Sequence, residues 1–96
     1  MTVEDESGWD AVRIAPGDHV AVALRDLQGN ARVRTGDEIA VFALSETIPL
    51  GHKFALSDLP AGTEVRKYGA PIGVLTRSVD KGGHVHVHNL RSQRAR

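Results

Sequence analysis

Gly82-Gly83-His84-Val85-His86-Val87-His88-Asn89 is the run on which the reading of this chain turns. Three of the five histidines alternate here with two valines. Successive side chains on an extended strand point to opposite faces, so Val85 and Val87 would enter a core while His84, His86 and His88 form a row opposite. Neighbours in that row stand roughly 7 Å apart at a rise of about 3.3 Å per residue. One apolar face is enough to hold a strand. The histidine face is then free to bind a metal, move protons or meet a partner. The plainer alternative is a set of strand-face histidines bonded to backbone or water.

Working outward, a local pattern of glycine, two variable residues and an apolar residue recurs. It stands at Gly17-Asp18-His19-Val20, Gly36-Asp37-Glu38-Ile39, Gly51-His52-Lys53-Phe54, Gly62-Thr63-Glu64-Val65 and Gly82-Gly83-His84-Val85. Pro16, Pro49 and Pro60 precede three of these glycines by one or two residues. Each copy reads as a turn feeding a strand. The spacing is irregular, which excludes a solenoid repeat.

Strands are expected over residues 19–25, with Val20, Val22 and Leu24 on the inner face, and over 31–34, folding back as a hairpin through Gln28-Gly29-Asn30. Further strands are expected over 38–44, 53–55, 64–68 and 72–77. Residues 56–59 read as one helical turn, because Ser57 and Asp58 suit a helix start. Tyr68 is expected in the core, Asp18 as a turn and solubility residue, and His19 as a half-exposed filler. No long stretch has a 3.6-residue apolar period. The fold class is therefore mainly β, made of short strands with many glycine and proline turns and at most one short helix. Its expected divisions are a flexible acidic tail over 1–12, in which Trp9 is the residue able to dock, a folded domain over 13–90 and a basic tail over 91–96.

Ninety-six residues make one small domain. A formal net charge of zero argues against general nucleic-acid binding, and two phenylalanines, one tyrosine and one tryptophan are too few for a base-stacking surface. The absence of cysteine excludes disulfides, zinc ribbons and thiol catalysis. Glu4, Asp5, Glu6 and Asp10 are the opposite of a signal peptide's basic start, and no apolar run is long enough to span a membrane. The expectation is a cytoplasmic protein with no nucleic-acid or membrane partner. No Ser-His-Asp, phosphate-loop or dinucleotide signature is present. His52-Lys53 places a cation beside a base, and Lys67 offers a second cation, a combination able to hold a carboxylate or stabilise an enolate.

Four segments together resemble a known family. They are Asp18-His19-Val20-Ala21-Val22-Ala23-Leu24, Ile48-Pro49-Leu50-Gly51-His52-Lys53-Phe54-Ala55-Leu56, Val65-Arg66-Lys67-Tyr68-Gly69 followed after two residues by Ile72-Gly73, and Gly82-Gly83-His84-Val85-His86-Val87-His88-Asn89-Leu90. They are similar to the N-terminal SAF-type domain of altronate and galactarate dehydratases, over about residues 15–94. The small subunit of sulfolactate sulfo-lyase is similar through the same elements. The resemblance implies a SAF-type β-clip fold and a larger catalytic subunit as partner. It implies a divalent metal, iron in the first instance, in that partner and none held with assurance by this chain. It implies lyase chemistry on a small sugar acid: water leaves in a dehydratase, giving a 2-keto-3-deoxy acid, and sulfite leaves in the sulfo-lyase, giving pyruvate. On the matching positions, His52, His86 and His88 are the catalytic candidates and Lys53, Asn89 and Lys67 the substrate-binding ones. His84, His86 and His88 are the weaker metal candidates. A non-catalytic carbohydrate- or metal-binding SAF module is the alternative from another class, and a homo-oligomer is compatible with all of these.

Overall fold

The computed structural model describes residues 8–92. Among the described residues nine short strands run in the order β1 (Ala11–Val12), β2 (Val20–Ala23), β3 (Asn30–Thr35), β4 (Glu38–Ala43), β5 (Lys53–Ala55), β6 (Glu64–Lys67), β7 (Ala70–Leu75), β8 (His84–Val85) and β9 (Leu90–Arg91). One sheet has the order β4-β3-β1-β2-β5-β8, and a second has the order β6-β7-β9. The fold is mainly β, as the turn-and-strand pattern and the β-clip resemblance both imply, and the described residues include no helix. Residues 56–59, expected as a helical turn, instead bend and end in a bridge from Leu59 to Val79.

Two apolar clusters hold the sheets. One gathers Ala21, Ala23, Leu27, Ile48 and Phe54, and the other gathers Val20, Ala55, Leu59, Val65, Leu75 and Val85. Strands β2 and β5 serve both, because their alternating side chains fall to opposite faces. β2 is therefore buried on both faces: Val20 is inward as expected, and the alanine face is buried as well. Ala21 and Ala23 are buried whereas Leu24 is 44% exposed. The small alanine suits a place opposite a large ring, since Ala21 pairs with Phe54.

The hairpin expected between β2 and β3 is absent, because β1 lies between them, antiparallel to β2 and parallel to β3. The cause lies in the segment expected to be a tail. The Asp10 carboxylate accepts the Arg32 backbone N–H at 2.9 Å and its Nε and Nη2 at 3.1 Å. The Arg34 guanidinium sits 4.4 Å above the Trp9 ring. Ordered structure thus begins before residue 13, while residues 1–7 lie outside the described residues. At the other end Arg91 pairs with Val74 within β9, and only 93–96 of the expected basic tail lie outside the description.

One backbone clasp is built twice. Ala23-Leu24-Arg25-Asp26-Leu27 and Ala55-Leu56-Ser57-Asp58-Leu59 each leave a strand, bend and seize a distant turn. Leu27 exchanges backbone bonds with Ile48, and Leu59 with Val79. The Asp26 carboxylate accepts the Leu50 N–H, and Asp58 the Lys81 N–H, each at 2.8 Å. The N–H of Gly51 donates to the Ala23 carbonyl at 2.9 Å, and that of Gly82 to the Ala55 carbonyl at 2.8 Å. The two clasps deliver Gly51-His52 and Gly82-Gly83 to the two ends of the β5–β8 pairing, where Lys53 faces Val85 and Phe54 faces His84.

Gly82 has φ +85°, and a Cβ there would stand 2.2 Å from the Ala43 carbonyl oxygen. Gly29 has φ +79° with no atom within 4 Å of such a Cβ. Gly82→Ala should lower unfolding free energy by more than about 2 kcal/mol, against about 1 kcal/mol for Gly29→Ala. Equilibrium urea unfolding checks the order, and equal losses would contradict the close approach.

Candidate functional site

Continuing the β5–β8 register by one pair sets His52 opposite His86. Their rings stack with centroids 4.0 Å apart and planes 18° from parallel. His84, two residues along from His86, brings its Nε2 to 2.8 Å from His52 Nδ1. At that distance one imidazole donates and the other accepts. His88 packs on the far side of His84, with ring centroids 5.1 Å apart. Four of the five histidines therefore form one contiguous stack. The three whose ligand nitrogens converge are His52, His84 and His86, within 4.8 Å of one another. The sequence pattern points to His84, His86 and His88, with His52, which follows a turn, as the natural fourth ligand.

The difference arises because the histidine run is not one strand. β8 stops at Val85, and residues 86–89 turn. The N–H groups of Asn89 and Leu90 both donate to the His86 carbonyl, at 3.0 and 2.9 Å. The Asn89 side chain locks this turn: its Oδ1 accepts the His86 N–H at 2.9 Å and its Nδ2 donates to the His84 carbonyl at 2.8 Å. Val85 is fully buried as expected, but Val87 is 82% exposed, since the turn carries it out of the strand's alternation. Asn89 is itself buried, and its geometric task is to fix the backbone of two histidines.

Lys53 follows His52 and is partly buried, on the face of the ladder it shares with Val85. Burial, and then the neighbouring Lys67 ammonium, hold its pKa below the ordinary lysine value. Lys67 lies with Nζ 4.6 Å from the centre of the Tyr68 ring. Tyr68 is exposed rather than in the core, and it takes a φ of +57°. Asp18 makes that turn stable. Its carboxylate is buried and accepts N–H bonds from Ala15, Tyr68 and Gly69, at 3.1, 2.8 and 2.8 Å. Burial alone would raise its pKa, but those bonds together hold it below the usual carboxylate value. Asp18 is thus a clamp rather than a solubility residue. His19 likewise ties β2 to β6, accepting the Arg66 N–H at its Nδ1.

Burial also lowers the pKa of His84, with His88 and His52 adding to the effect against a raising contribution from Glu46. His86 is lowered by burial first, then by His52, Lys53 and His88. The lowering favours the uncharged form of these two imidazoles, the form able to accept a proton or bind a metal. A cleft of about 400 Å³ opens against His84 and His88, lined also by Glu46, Arg77, Asp80 and Asn89. Glu46 enters here unannounced by any local motif. Its carboxylate accepts the His84 backbone N–H at 2.9 Å, across 38 residues of chain.

A family model described as the altronate/galactarate dehydratase SAF domain matches residues 9–93. Altronate dehydratase of Escherichia coli (strain K12) is 41% identical over 81 residues, which are 84% of this chain and 16% of that protein. Altronate dehydratase of Bacillus subtilis (strain 168) is 37% identical over 82 residues, again 84% of this chain and 16% of that protein. (2R)-sulfolactate sulfo-lyase subunit alpha of Chromohalobacter salexigens is 41% identical over 58 residues, 60% of this chain and 62% of that subunit. The chain spans about a sixth of the length of these two dehydratases. Among the described residues no helix is long and apolar enough to cross a membrane.

The lowered histidines set a pH dependence of stability. The unfolded chain takes up protons at His84 and His86 at a higher pH than the folded one. Stability is therefore complete above the ordinary histidine pKa of about 6.5 and is lost as pH falls from there through the folded values. Urea midpoints should drop between about pH 7.5 and pH 5.5, a window above the carboxylate range. The double variant His84→Gln, His86→Gln should flatten that drop. A midpoint that rises on acidification would contradict the assigned direction.

Proposed function

The chain belongs to the altronate/galactarate dehydratase SAF-domain family, and on that premise we propose that it is the small, histidine-bearing component of a sugar-acid dehydratase. In this reading a larger catalytic chain covers the histidine stack and completes the site. The substrate is an aldonate or aldarate, and the product is a 2-keto-3-deoxy acid. The observation that carries the reading is the contiguous stack of His52, His84, His86 and His88, with Lys53 next in the chain to His52.

Elimination breaks the C–H bond next to the carboxylate and the C–O bond on the following carbon. The first needs a base that is unprotonated near neutral pH, and the second a donor for the departing hydroxyl. With no ion on them, His52 and His86 offer the base and exposed His88 the donor; with an ion bound they serve as its ligands, and His88 is the imidazole left to move a proton. Lys53 and Lys67 hold the substrate carboxylate and balance the negative charge that grows on it in the transition state. Asn89 keeps His86 at its station through the turn. A divalent metal, when bound, supplies Lewis-acid stabilisation of the enolate, and the three converging imidazoles fit such an ion.

A second reading shares the first bond-breaking and differs in the leaving group, with sulfite in place of water. It is favoured by (2R)-sulfolactate sulfo-lyase subunit alpha of Paracoccus pantotrophus, which is 49% identical over 47 residues, 70% of that subunit. Co-purification with a large dehydratase-like chain from the same genome, followed by assay on altronate, galactarate and sulfolactate, separates the two. This chain alone should show no turnover. In the reconstituted pair His86→Ala should lower kcat by about 100-fold or more, and Lys53→Ala should chiefly raise KM. Full activity from the large chain alone would overturn both readings.

A further inference from the structure

We propose that His52, His84 and His86 form a divalent transition-metal site held wholly within this chain, with a fourth position open to an oxygen ligand. Their ligand nitrogens already lie within 4.8 Å of one another, with His52 Nδ1 and His84 Nε2 at 2.8 Å. Tetrahedral coordination with metal–nitrogen bonds of about 2.05 Å places donor atoms about 3.3 Å apart. The close pair opens slightly, and His86 draws in, for all three to meet one ion. Both imidazoles of the close pair then turn lone pairs to the metal, so the proton they share moves to a ring nitrogen facing away.

The backbone that carries the ligands is fixed without the ion. Glu46 holds the His84 N–H, while Asn89 holds the His84 carbonyl and the His86 N–H. The His52 N–H donates to the Pro49 carbonyl at 3.0 Å, and its carbonyl accepts from Ala23 at 2.9 Å. Such supporting bonds spare the site the cost of ordering its ligands. Three nitrogens and no carboxylate favour Zn²⁺, Fe²⁺, Co²⁺ or Ni²⁺ over Mg²⁺ and Ca²⁺, which require oxygen. Three protein ligands with one vacancy is also the arrangement of catalytic rather than structural metal sites. A 2-hydroxycarboxylate is a fitting occupant of the open position, since it offers oxygen donors to such an ion. The site stands on the geometry of this chain alone and does not depend on the proposed dehydratase reading.

The test uses the full chain, stripped with chelator and titrated with Co²⁺ near neutral pH. The expected result is saturable binding of one ion with the intense visible bands of a four-coordinate site, displaced by Zn²⁺. His52→Ala, His84→Ala and His86→Ala should each weaken binding by at least about tenfold, and His19→Gln should leave it unchanged. X-ray absorption on the Zn²⁺-loaded wild-type chain should count three imidazoles, which decides the matter even where a variant fails to fold. Fewer than three imidazoles, no saturable binding, or a larger loss for His88→Ala than for His52→Ala would overturn the proposal. Glycolate should shift the Co²⁺ bands, and an unchanged spectrum would overturn the open position. None of these readouts needs the larger chain, so a failure here is distinct from a failure of the dehydratase assay.

Discussion

The antiparallel join between β5 and β8 is the constraint from which the site follows. It is only two residue pairs long, Lys53 to Val85 and Phe54 to His84. Two pairs of a ladder are marginal on their own. The duplicated clasp makes them stable. At one end Ala23 and Asp26 grip Gly51, His52 and Leu50, and at the other Ala55 and Asp58 grip Gly82, Gly83 and Lys81. Phe54 is fully buried on one face of the join, and Ala55 and Val85 on the other. Burial of each large apolar side chain is worth about 1.5–3 kcal/mol. The histidines stand on a short ladder that is braced at both ends and packed on both faces.

Asp10 and Asp18 do comparable work away from the site. Each is a carboxylate that satisfies N–H groups brought together from remote parts of the chain. Asp10 is lowered in pKa chiefly by its hydrogen bond with Arg32, and Asp18 is lowered despite its burial. For a carboxylate of this kind the contribution to stability is present above its unfolded pKa and lost as pH falls through the folded value. Acid thus acts on this fold in two stages. His84 and His86 respond first, and the two clamps only below the usual carboxylate range.

What could be read from the sequence was local. Turn glycines and alternating apolar residues carry their meaning within four to eight positions, so β4, β5, β6 and β7 stand close to where the pattern places them. The resemblance placed His52 with His86, and the register brings the two rings into contact. The failures share one cause: each depended on a bond made across a large sequence distance. Asp10 to Arg32 inserts β1 into the sheet, Asp18 to Tyr68 turns a tyrosine outward, and Glu46 to His84 adds a carboxylate beside the stack. Asn89 is the exception, since its bonds span only three and five residues. A strand and an asparagine-locked turn compete over the same residues there, and alternation favours the strand until the side-chain amide is counted. The repeated Ala-Leu-x-Asp-Leu at 23–27 and 55–59 was visible in the sequence and marks both clasps.

The depth of the site bears on how it can act. Two apolar clusters and two sheets occupy most of a chain this short, and the histidines are left at an edge. His84 and His86 are partly exposed, and Val87 between His86 and His88 is almost wholly so. Fixed charges stabilise a developing enolate far better where water is excluded than where it competes for the same oxygen. Lys53 is partly buried, but the cleft beside His84 and His88 lies between polar walls. A surface that holds four stacked imidazoles yet leaves them wet is, under the proposed function, an elimination site that still needs its enclosure. Under the proposed function the larger chain supplies that enclosure, and exposed Val87 and Leu50, each within two residues of a stacked histidine, are apolar ground on which it would close.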